Sequence, residues 1–110
     1  MTRLAVAMLV LLLAAPSARA HQITVFATVE AGEVLIEATF ADGTPVLAGT
    51  LEIRDAVDAV ILTAPIDGTY PIRFPVGDHT DGLVIKVDAG NGHENYWILT
   101  PADLDGVAGN

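Results

Sequence analysis

Three histidines, His21, His79 and His93, are the strongest candidates for metal coordination in this chain, which has no cysteine in its 110 residues. Their worth as ligands depends on where they sit. Met1-Thr2-Arg3 is followed by an apolar run from Leu4 to Ala15 and then by Pro16-Ser17-Ala18-Arg19-Ala20. A basic start, a greasy centre and a small-x-small exit are the parts of a secretory signal peptide. The run is shorter than the roughly 20 residues that a membrane-spanning helix needs. Cleavage after Ala20 is therefore expected, and it makes His21 the first residue of the mature protein. A terminal histidine is a chelator, because its amine and its Nδ1 close a six-membered ring on one metal ion. With a reference pKa of roughly 7.7 to 8, the amine loses its proton near neutral pH at a cost of only about 1 kcal/mol. Nitrogen donors of this kind suit nickel, cobalt, copper and zinc.

Whether a second imidazole can reach His21 is a question about the elements between them. From His21 onward apolar and polar residues alternate, as in strands that bury one face, and turn residues recur about every ten positions. Strands are expected over residues 22–30, 33–40, 50–55, 59–64, 70–74, 83–88 and 94–99. No helical pattern of useful length follows Ala20. Short strands with evenly spaced turns predict an all-β fold, a small immunoglobulin-like or transthyretin-like β-sandwich of about seven strands. Its domain spans residues 21–100, behind a signal peptide over residues 1–20 and ahead of a flexible tail over residues 101–110. The expected core includes Val25, Val34, Ile36, Leu51, Ile53, Ile61, Ile72, Val84 and Ile98, and Trp97 is expected to pack inward with Tyr96 outside.

If successive strands run up and down, the loops after strands two, four and six fall at the end where His21 begins the first strand. Asp42, Asp67, Asp88, Asn91 and His93 then share that end, and His79 lies at the other. This pairs His21 with His93 as metal ligands, adds Asp67 and Asp88 as further possible ones, and leaves His79 a bystander. Asp, Asn and Gly are also what tight turns use without any ligand, so those carboxylates have a structural reading as well.

Charge and composition narrow the classes. The whole chain carries a formal charge of −9, and loss of Arg3 and Arg19 leaves Arg54, Arg73 and Lys86 against 14 acids, a formal −11. A basic nucleic-acid surface is excluded. Without cysteine there is no disulfide, thiolate metal site or thiol nucleophile. No serine follows Ser17 and there is no nucleophile elbow, so an enzyme is not expected.

The stretch His21-Gln22-Ile23-Thr24-Val25-Phe26-Ala27-Thr28-Val29-Glu30, then Glu37-Ala38-Thr39-Phe40, Gly90-Asn91-Gly92-His93 with Tyr96, and Pro101-Ala102-Asp103-Leu104, resembles the small extracytoplasmic accessory subunit of bacterial energy-coupling-factor nickel/cobalt uptake transporters. The middle segment, with Asp67-Gly68-Thr69-Tyr70, resembles the broader carboxypeptidase regulatory-like and transthyretin-like sandwiches. It departs from them in having Ile66 ahead of Asp67 where an acidic pair is usual. The resemblance implies a periplasmic sandwich that works beside the membrane-embedded subunit of a metal-uptake transporter, with a divalent ion, nickel or cobalt, held through His21 and His93. Two other readings stay open: a β-sandwich protein-interaction module that binds no metal, and a periplasmic copper-binding protein, since copper leads the affinity order for nitrogen ligands.

Overall fold

The computed structural model describes residues 22–108. The signal peptide expected over residues 1–20, and His21 with it, lie outside the described residues. Seven strands follow in order: β1 (Ile23–Glu30), β2 (Glu33–Phe40), β3 (Gly49–Asp55), β4 (Val60–Ile66), β5 (Ile72–Pro75), β6 (Leu83–Asp88) and β7 (Glu94–Leu99), with a helix α1 (Pro101–Ala108) after them. They form two antiparallel sheets, one ordered β1-β2-β5 and the other β4-β3-β6-β7. This is the small all-β sandwich that the alternation predicts.

Register follows from turn chemistry and burial. Ala31 and Gly32 both take positive φ, 51° and 79°, the two-residue hairpin geometry that matches strand twist. The turn pairs Glu30 with Glu33 and, seven residues along, Ile23 with Phe40. One face of each strand then points inward. Ile23, Val25 and Ala27 of β1 and Val34, Ile36 and Ala38 of β2 are buried against Leu51 and Ile53 of β3 and Leu83, Ile85 and Val87 of β6. Each large aliphatic side chain buried there contributes about 1.5–3 kcal/mol.

Of the expected core, Val25, Val34, Ile36, Leu51 and Ile53 are buried, and Ile61 and Ile72 pack half-buried at its margin. Val84 and Ile98 do not belong to it. They are cross-strand partners on the outer face, and Ile98 is 55% exposed. Trp97 shares the inner face with Leu99 yet stays 37% exposed, because β7 is an edge strand. Its ring meets Phe26 edge-to-face, with centroids 5.1 Å apart, across the seam between β1 and β7.

The segment after β7, expected as a flexible tail, is helical from Pro101 to Ala108. The Thr100 hydroxyl accepts from the Asp103 N–H at 3.3 Å, while Asp103 Oδ2 accepts from the Thr100 N–H at 2.8 Å. This is a reciprocal capping box with proline at the first helical position. The helix rests against β1 and β7 and buries Leu104 in the core. Thr100→Ala is expected to cost about 1 kcal/mol, read as a lower urea midpoint with unchanged slope. An unchanged midpoint would show that the helix end does not need this cap.

Candidate metal site

His93 closes the turn between β6 and β7. Its N–H donates to Gly90 O at 2.9 Å and its carbonyl accepts from the Ala89 N–H at 2.7 Å, so the backbone around the imidazole is fixed on both sides. Asn91 takes a φ of 55° and Gly92 one of 81°, left-handed positions that asparagine and glycine fill most readily. The imidazole is half-buried and lies edge-on to Phe40, with centroids 5.9 Å apart and planes at 81°. Phe40 ends β2, and its cross-strand partner is Ile23, the first residue of β1. A second tie crosses the same gap, where Asn95 Nδ2 donates to the Ile23 carbonyl at 2.9 Å. His93 is thus bound into the corner where β1 begins.

The carboxylates expected at this end are there. Gly49 pairs with Ile66, Thr50 with Asp88 and Asp88 with Glu94, so Asp67, just past β4, and Asp88, the last residue of β6, share the end with His93. Asp42 lies in the loop after β2, where its Oδ1 accepts from the Thr44 N–H at 3.0 Å and the Thr44 hydroxyl at 2.7 Å.

Each of the two acids named as further ligands also has turn work. Asp67 Oδ1 accepts from the Thr69 N–H at 2.9 Å, and Asp88 Oδ1 from the Gly90 N–H at 2.8 Å. Hydrogen bonding from the Thr69 backbone and then its side chain holds the Asp67 carboxyl below the usual carboxylate range. Nearby, burial pushes the Tyr70 phenol above its ordinary value, with the Asp67 charge adding to the effect. The Tyr70 hydroxyl donates to the Val46 carbonyl at 2.6 Å and so pins the β2–β3 loop to this end of the sandwich.

His79 is elsewhere. It follows β5, stacks on Phe74 with centroids 6.2 Å apart, and lines a depression with Asp55, Asp78 and Asp81 at the opposite end. Alternating strand direction therefore separates His79 from His93. Among the described residues no group of three or more His, Asp or Glu side chains converges as a metal cage. They supply one imidazole, that of His93, beside the start of β1.

Two contributors had little signal in the sequence. Phe40 reads as an ordinary strand end and Asn95 as a polar residue on an edge, and only the sheet-to-sheet register reveals that they hold His93 and Ile23 together. Comparison with family models, with characterised proteins and with solved structures finds no match to this chain.

Proposed function

We propose that the mature protein is a periplasmic metal-handling accessory protein of a nickel or cobalt uptake system. In this reading it holds one divalent ion between the amine and imidazole of His21 and the imidazole of His93, beside a membrane-embedded transporter subunit. The observation that carries the reading is the corner itself: the His93 ring on Phe40, and Asn95 bonded to the carbonyl of Ile23, two residues after His21. Two residues of extended chain reach about 7 Å, which suits a terminal chelate to an imidazole at this corner. Asp42, Asp67 and Asp88 give the same end a negative potential that draws cations in.

Calorimetry on protein that starts at His21 tests it. Nickel or cobalt is expected to bind once per chain. His93→Ala should weaken binding roughly thirtyfold, about 2 kcal/mol, while His79→Ala stays within about twofold of wild type. Equal affinity in all three proteins, or binding in none, would remove the metal reading.

A further inference from the structure

We infer that the outer face of the four-stranded sheet, at the end away from His93, docks a basic, apolar-rich segment of a partner protein. One register row crosses that sheet: Val60 pairs with Arg54, Arg54 with Val84, and Val84 with Ile98. Ile98 is 55% exposed and Val60 48%, and Tyr96, two residues before Ile98 on the same face, is 58% exposed. Arg54 separates Val60 from the rest, but Val84, Ile98 and Tyr96 are neighbours on the β6–β7 ladder, and adjoining exposed apolar side chains need an explanation that scattered ones do not. At the upper end of the strip a groove of about 330 Å³ opens, with Val84, Ile98 and Pro101 as its apolar wall and Asp55, Asp58 and Asp81 on its rim.

Charge decides the occupant. Arg54 is already committed, its Nε 2.6 Å from Glu52 and its Nη1 3.3 Å from Asp58. Lys86, in the next row, lies 3.3 Å from Glu94. Three carboxylates, Asp55, Asp58 and Asp81, therefore line the groove with no cation among its lining residues, and Asp81 makes no hydrogen bond or ion pair among the described residues. Asp55 Oδ1 accepts from the Val57 and Ala59 N–H groups at 3.0 and 2.9 Å, which fixes that carboxylate in place. A second copy of this chain would bring the same acids face to face, since a symmetric contact repeats one patch on both subunits. An anionic membrane surface is repelled for the same reason. An arginine or lysine fits both halves of the groove: its aliphatic stem lies along Val84 and Ile98 while its head reaches the carboxylates. Tyr96 adds an aromatic anchor of the type that carries binding energy in protein contacts.

The groove is at the end opposite the metal site, so the two can fail independently. Amide-resolved NMR titration of the mature chain with a short synthetic peptide alternating arginine and leucine tests the assignment. Shifts are expected to concentrate on Val84, Ile98, Asp81 and their neighbours. Affinity should fall at least about tenfold in Asp81→Asn/Asp58→Asn and in Ile98→Ser, all exposed positions, and remain unchanged in His93→Ala. A lysine–glycine peptide of equal charge and a glutamate–leucine peptide should each bind at least about tenfold more weakly. Shifts spread over the whole acidic surface, equal binding of the lysine–glycine peptide, or self-association through this face in place of peptide binding would each overturn it.

Discussion

Gly49→Ala is expected to destabilise the protein by about 4 kcal/mol, near the upper end for a single substitution. Two costs combine. Gly49 opens β3 at a φ of 139°, a backbone position that L side chains rarely adopt, which by itself costs about 1–3 kcal/mol. A Cβ there would also fall onto the carbonyl oxygen of Asp88 and lie 3.0 Å from Cα of Ala89. Both are backbone atoms, so no rotamer change relieves the overlap. Either β3 moves away from the end of β6, or the turn that carries His93 is displaced. Gly90→Ala is the control, since its φ of 85° is also positive but nothing lies within 4 Å of the added carbon; it should cost only about 1 kcal/mol. Urea unfolding of both variants gives the comparison. Equal losses would mean that the close approach of β3 to Asp88 does not matter.

The strands are legible because β1, β2, β3 and β6 each bury one face, and the departures have local causes. Pro65 reads as a break, yet β4 runs through it to Ile66. On an edge strand the missing N–H can face outward without breaking the ladder. Val84 reads as inward because Leu83 to Val87 is apolar at four of five positions, which leaves alternation little to act on. Lys86 was the usable signal: a lysine that faces solvent puts Val84 outward too, and places Leu83, Ile85 and Val87 inside, as found. Ile98 goes outward with Val84, its cross-strand partner. The helix was missed because only one short stretch announces it. Thr100-Pro101-Ala102-Asp103 carries the whole cap, while an eight-residue segment with a single buried leucine has too little periodicity to register.

For the candidate site, chain direction sufficed to sort ends, since alternating strands put His93 and the first residues of β1 together and His79 apart. Contacts between the sheets were not legible. The meeting of Phe40 with His93, and of Asn95 with Ile23, depends on how the edge strands of two sheets overlap. No pattern within either strand encodes that. The acidic rim around Val84 and Ile98 was hidden for a related reason, because its acids come from two separate loops and its apolar wall from positions assigned to the core.

A methionine left ahead of His21 should weaken cobalt binding at neutral pH by at least about a hundredfold, a larger effect than loss of His93. Linked donors gain roughly 10²–10⁴ in affinity over independent ones, and the extension dismantles the link. With His21 first, amine and Nδ1 close one ring on the metal. With His21 second, the terminal amine belongs to the methionine, and the nitrogen between it and the imidazole is a peptide N–H that must lose its proton before it can bind. The sign of the pH dependence follows. In protein that starts at His21, protons compete with metal for the amine, so affinity falls as pH drops through roughly 8 to 7, and binding releases protons to the buffer. In the extended protein a further proton must leave, so whatever binding remains should rise more steeply with pH. Calorimetry in two buffers of different ionisation enthalpy at pH 7 and pH 8.5 measures both affinity and proton release. Equal affinity and equal proton release in the two proteins would show that the terminal amine is not a ligand, and the site would then have to be built on His93 and side-chain donors alone.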